Sequence, residues 1–158
     1  MKSLIPSFVS LILLLLSKAH PVGGLHIGLV CPGHFGHLNP TSTLGGELQR
    51  RGHRVTLIST PPGSAVAERN GLEFHPVGIP EYESGVFGME LAQEGRLRGL
   101  SAFWHTIRLF RREQHILLRD LPHILKSRRI DAVCVDQLLP AAMDVADVHG
   151  ISSAGESS

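Results

Sequence analysis

Two histidines stand three residues apart in the turn Gly33-His34-Phe35-Gly36-His37, between an apolar run and a helix-forming stretch. A polar side chain there faces the crevice beyond a strand's carboxyl end, where open α/β sheets hold ligands. The imidazole of His37 can take a proton from a hydroxyl nucleophile near neutral pH. It also lies beside the amino terminus of the helix expected over 39–51, a favourable place for an anion. His37 is the candidate for chemistry, with a structural turn residue as the competing reading. Asp136 closes a second apolar run and, taken alone, reads as a cap for the segment after it.

Other chemistries fit the turn poorly. It does not spell G-x-G-x-x-G, and the second strand ends Leu57-Ile58-Ser59-Thr60 with no acid for a ribose hydroxyl. No G-K-[ST] follows, so a P-loop is excluded. The ten histidines offer no paired ligand spacing beyond His34 and His37, and no third ligand stands nearby. No metal is expected.

The elements that must carry these residues alternate in type. Residues 25–31 form a short continuous apolar run, suited to a strand buried on both faces. Asn39-Pro40 resembles a helix start, Leu44 and Leu48 share one face, and Gly52 suits the left-handed stop. Strands are expected at 54–59 and 72–77, with a helix over 64–70 between them. Residues 78–100 read as a long loop with about one helical turn, the place where ligand choice usually resides. An amphipathic helix follows over 101–121, its stripe being Phe103, Ile107, Phe110, Leu117 and Leu121, with Trp104 and Leu118 beside it; core packing is the expected role, with the wall of a ligand pocket as the alternative. Pro122 opens a short helix to 127, 130–135 is a strand, and 140–149 is a helix closed by Gly150. Such alternation predicts a Rossmann-like parallel α/β sheet with flanking helices and right-handed crossovers. After Ile151 the text turns small and polar, SSAGESS, so 152–158 reads as a disordered tail and the fold as incomplete. The absent fifth strand would leave an apolar edge.

Composition sets the outer limits. A chain of 158 residues, 42% hydrophobic, holds about one domain with an ordinary core. The net charge of +1 gives no global field toward nucleic acid, and the arginine clusters near element ends read as solvated faces. Cys31 and Cys134 end two strand-like runs. They are expected to be buried thiols, near enough for a bridge in an oxidising compartment if their strands adjoin. Residues 1–22 carry an apolar run from Leu4 to Leu16, too short to span a bilayer. It matches either a signal-like leader with Ser17 and Ala19 near the cleavage point, or a mis-started reading frame. A cytoplasmic location is expected, with membrane association or export left open by that leader.

The string Pro32-Gly33-x-x-Gly36-His37-Leu38-Asn39-Pro40, then Glu47-Leu48 and Arg51-Gly52-His53-Arg54-Val55-Thr56, resembles the opening of the family 1 UDP-glycosyltransferases. Gly71-Leu72-Glu73-Phe74 and Ile130-Asp131-Ala132-Val133-Cys134-Val135-Asp136-Gln137 continue the likeness in order. Its tone is that of bacterial zeaxanthin and macrolide glycosyltransferases, and it covers about 24–151. The resemblance implies the amino-terminal, acceptor-binding domain of a GT-B fold, over 24–151, with a truncated chain lacking the carboxyl-terminal donor domain. It makes His37 the catalytic base and Asp136 its supporting carboxylate, and it puts His34 and Phe35 beside the acceptor. In parallel order the first and fourth strands adjoin at the topological switch point, so the loops carrying residues 37 and 136 can meet.

The implied reaction is an inverting, metal-independent transfer of a hexose from a UDP-sugar to a hydroxyl of a lipophilic small molecule. UDP-sugar would be a co-substrate, with no resident cofactor, and would bind only if a donor domain is supplied. Without that half, proximity catalysis is lost and the chain is expected to be inactive alone. The alternative is a non-catalytic acceptor-binding or regulatory module.

Overall fold

The computed structural model describes residues 24–85, 89 and 96–156. The leader at 1–22 and part of the loop expected over 78–100 lie outside the described residues. Five parallel strands are found among the described residues, in the order β3-β2-β1-β4-β5. They are β1 His26–Val30, β2 Arg54–Ser59, β3 Glu73–Pro76, β4 Ala132–Asp136 and β5 Ser152–Glu156. The helices are α1 Phe35–Arg50, α2 Gly63–Arg69, α3 Ile79–Glu83, α4 Leu100–Arg128 and α5 Pro140–Val148.

Neighbouring side chains on a strand leave opposite faces of the sheet, and both faces here are covered. Leu29, Val55 and Leu57 meet Leu38 and Leu48 of α1 and Val66 of α2. Val30, Ile58, Val133 and Val135 meet Ile116, Leu121 and Leu125 of α4 and Val145 of α5. That two-sided burial is why the strands read as unbroken apolar runs. Leu57 of β2, next to the central strand, is fully buried. Leu57→Ala should cost about 2–5 kcal/mol, measured as a lowered denaturant midpoint at unchanged slope.

Three expectations need correction. The disordered tail is the first: residues 152–156 form β5, paired in parallel with β4 from Ala132↔Ser152 to Asp136↔Glu156. Backbone groups make that ladder, so small polar residues serve at an edge where larger ones are not required. Gly155 fits beside Met143 of α5, whose sulfur would stand 3.5 Å from an added Cβ. The sheet therefore has its fifth strand, and residues 157–158 lie outside the described part.

Helix α1 is the second, for it begins at Phe35 rather than beyond Asn39. The N–H groups of His37 and Leu38 donate to the His34 carbonyl at 3.0 and 2.9 Å, closing the first turn. Pro40 lies inside the helix, and the Ser42 and Thr43 hydroxyls both donate to the Asn39 carbonyl. Asn39 is thus no cap. His37 stands on a helical turn rather than in a loop, which fixes its backbone.

Helix α4 is the third. It runs through Pro122 for 29 residues instead of stopping there. Proline removes the bond to the carbonyl four residues earlier, that of Leu118, whose side chain lies half-exposed on the solvent side. The apolar stripe also divides. Leu117 and Leu121 are buried, joined by Ile116, Ile124 and Leu125, whereas Phe103, Trp104 and Ile107 are exposed.

At the foot of the sheet, His26 is buried, with Nδ1 donating to the Arg128 carbonyl at 3.0 Å and Nε2 2.8 Å from the Thr56 hydroxyl. Burial, then the charge of Arg54, holds its pKa below the ordinary 6.5. Nearby, Arg54 grips Glu73 through two hydrogen bonds of 2.6 and 2.7 Å. That pairing holds the Glu73 carboxyl below its ordinary 4.5. Arg119 does the same to Glu81 and Asp120 between α3 and α4. Below pH 6.5 the unfolded chain takes up the histidine proton first, so stability falls as pH falls. Below 4.5 the carboxylate pairs are lost in the same direction. Thermal midpoints should therefore drop in two stages on acidification, and His26→Gln should remove the upper stage.

Candidate active site

The first and fourth strands adjoin, with Val30 beside Val135, so both chains leave the sheet at one lip. After β1 the chain passes Cys31, Pro32 and Gly33 into α1. A Cβ on Gly33 would sit 1.9 Å from the Thr60 hydroxyl oxygen, so any larger residue there would have to displace the Thr60 side chain just after β2. The turn then delivers His37 on the first turn of α1. After β4, the Leu139 N–H donates to the Asp136 carbonyl at 2.9 Å, folding the next loop back over the lip.

The two side chains meet. Nδ1 of His37 lies 2.7 Å from Oδ2 of Asp136. The other carboxylate oxygen, Oδ1, accepts the Leu138 N–H at 2.9 Å. The Asp136 side chain is 8% exposed and the His37 side chain 33%. A carboxylate accepts only, so Nδ1 carries a proton, and in the neutral ring the lone pair is then at Nε2. A buried carboxylate thus sets both the ring's orientation and its tautomer, while part of the ring stays open to an incoming group.

A cavity of about 180 Å³ opens beside the ring, lined by His34, His37, Thr106, Leu109, Phe110, Glu113 and Leu138. That volume is below the roughly 300–1,000 Å³ of whole small-molecule sites. His34 lies on the wall of this cavity. Phe35 opens α1 next to it, and its side chain lies outside the described residues. His53 accepts the Leu25 N–H through Nδ1, away from the lip.

Sequence reasoning missed two residues of α4, Glu113 and Gln114. Glu113 is buried and borders both this cavity and a smaller one reaching Cys31 and Thr60. Gln114 clamps the loop after Asp136 at both ends. Its Nε2 donates to the Leu138 carbonyl at 2.8 Å and its Oε1 accepts the Ala141 N–H at 2.9 Å. Neither residue carries a sequence signal, because their proximity to position 136 exists only once α4 packs on the sheet.

Cys31 and Cys134 are both buried thiols. Among the described residues no cluster of three or more His, Cys, Asp or Glu side chains is arranged to hold a metal ion. No helix among them is long and apolar enough to cross a membrane.

Comparison with known proteins gives a consistent set of relatives. No family model matches the chain. It is 29% identical over 126 residues to the zeaxanthin glucosyltransferase of Pantoea ananas, covering 80% of this chain and 29% of that protein. The zeaxanthin glucosyltransferase of Pseudescherichia vulneris is 28% identical over 127 residues, with the same coverage. Among solved structures, the glycosyltransferase of kitacinnamycin superposes with a TM-score of 0.64 at 26% identity, over 84% of this chain and 30% of that one. The chain thus spans about 29% of the length of the curated relatives it matches. Its parallel sheet with flanking helices matches the Rossmann-like domains of GT-B glycosyltransferases, and the relatives named are sugar-transferring enzymes.

Proposed function

We propose that these residues belong to the amino-terminal, Rossmann-like domain of a family 1 glycosyltransferase and hold an acceptor hydroxyl against His37 for transfer of a hexose from a UDP-sugar. The observation that carries this reading is the 2.7 Å contact between His37 Nδ1 and Asp136. An alcohol is a weak nucleophile at neutral pH. As its oxygen bonds to the anomeric carbon, its proton passes to Nε2, and the bond from that carbon to the diphosphate breaks. Asp136 stabilises the imidazolium that forms, as carboxylates do in other His–Asp pairs. Attack opposite the leaving group inverts the anomeric centre.

The cavity wall of Leu109, Phe110 and Leu138 favours an apolar acceptor with one hydroxyl presented to the base. Nucleotide-sugar recognition falls to a carboxyl-terminal donor domain, and no His-Cys-Gly motif of the kind that family uses there occurs in these 158 residues. Alone they should transfer nothing, because donor and acceptor are never aligned.

The test supplies the donor half of a zeaxanthin glucosyltransferase, fused or in trans, with radiolabelled UDP-glucose and zeaxanthin. Transfer is expected with the donor half and not without it. Robust turnover by the chain alone would overturn the division of labour proposed here. Saturable acceptor binding with no transfer in any combination would favour a non-catalytic binding module.

A further inference from the structure

The first half of α4 leaves most of its large apolar side chains in solvent. Over this stretch the buried face is His105, Leu109 and Glu113, while Leu100, Phe103, Trp104 and Ile107 are 79%, 56%, 64% and 43% exposed. Their spacing, continued by Arg108, Arg111 and His115, follows one face of the helix. Trp104 and Phe103 pack edge to face, with ring centroids 5.7 Å apart. Trp104 and Ile107 join Arg108, Arg111, Arg112 and His115 along an open groove of about 600 Å³.

Charge distinguishes this face from an ordinary core remnant. Residues 95–112 contain five arginines and no acidic residue, although the chain as a whole is nearly neutral. Arg96 and Arg98 precede the helix, and Arg108, Arg111 and Arg112 lie on it. An apolar, aromatic helix face bordered by arginines is the pattern that lies in the headgroup region of a bilayer. A second copy of this basic face would repel the first. An anionic surface would not.

We infer that the amino-terminal half of α4 docks this chain on an anionic lipid surface, with Leu100, Phe103, Trp104 and Ile107 entering the headgroup boundary and the arginines meeting lipid phosphates. The reading is independent of sugar transfer. It would bring the cavity wall formed by Thr106, Leu109 and Phe110 of the same helix close to the bilayer.

Trp104 is the chain's single tryptophan, so its fluorescence reports this face alone. The full chain is titrated with vesicles of phosphatidylcholine, with and without phosphatidylglycerol, and with brominated phosphatidylcholine as the quencher. A blue-shifted emission, quenching by brominated lipid and protection from acrylamide are expected with anionic vesicles only, reversed by high salt. Arg108→Glu with Arg111→Glu should weaken partitioning by more than about tenfold. Leu100→Ser with Phe103→Ser should suppress the blue shift while leaving the far-ultraviolet circular dichroism unchanged.

Sedimentation with vesicles while Trp104 stays open to acrylamide would overturn the inference, placing lipid contact elsewhere, as in residues 4–16. Equal binding to neutral vesicles would overturn the arginines' part. Concentration-dependent protection of Trp104 without lipid would assign the face to a second copy and also overturn it.

Discussion

His37→Ala, in the chain completed with a donor half, should lower kcat by about 10²–10⁴-fold. The loss falls on kcat because the imidazole's contribution is proton removal as the new bond forms. On the proposed function the acceptor end would rest mostly on the cavity wall of Leu109, Phe110 and Leu138, which the substitution leaves in place. KM for acceptor should therefore change little. His37→Gln is the sharper variant, since it keeps polarity and much of the volume but accepts no proton at the required position. If either variant kept wild-type kcat, the base would have to be another group. Glu113, buried on the same cavity wall, would be the next to examine.

Asp136→Asn should cost about 10²–10⁴-fold in rate, the scale seen when a His–Asp pair loses its charge and its tautomer control. The geometry says why the amide would settle in the unhelpful orientation. The Leu138 N–H, 2.9 Å from Oδ1, needs an acceptor and so takes the amide oxygen. The amide nitrogen then faces His37 Nδ1, where it can only donate. That forces the ring's proton onto Nε2, the atom meant to receive the acceptor's proton. The fold should survive, because the Leu138 bond and the backbone turn are kept. Asp136→Ala removes the Leu138 partner as well, leaving a backbone N–H unsatisfied at a cost of about 1–3 kcal/mol. Comparing the two separates lost chemistry from a lost turn.

Much of this arrangement was legible from residue order, for identifiable physical reasons. Strands β1, β2 and β4 are buried on both faces, so they appear as apolar runs that no polar alternation disguises. Gly52, Gly71 and Gly150 end their helices with φ of +88°, +64° and +68°, the conformation glycine adopts most readily. Adjacency of β1 and β4 follows from parallel connectivity, and it is what brings residues 37 and 136 together.

The misreadings also have causes. Asn39-Pro40 imitates a helix start, yet the His34 carbonyl nucleates the helix a turn earlier. β5 is written in serine, alanine and glycine because its position at the edge asks only for a backbone and a small profile. Phe103, Trp104 and Ile107 fit the periodicity of a core stripe, but periodicity says which residues share a face and not which face meets the sheet. Glu113 and Gln114 had no signal at all. Their roles depend on contacts between α4 and the loop after β4, which no local pattern encodes.

The account stands on the ring of His37 holding its proton at Nδ1, toward Asp136, and keeping Nε2 for the acceptor. Nitrogen-15 NMR of the histidine side chains measures this directly, with His37→Gln identifying the resonance and Asp136→Asn as the comparison. The predicted result is a neutral ring in the Nδ1–H tautomer, shifting to the Nε2–H form in Asp136→Asn. A wild-type ring protonated at Nε2, or a tautomer indifferent to residue 136, would contradict it.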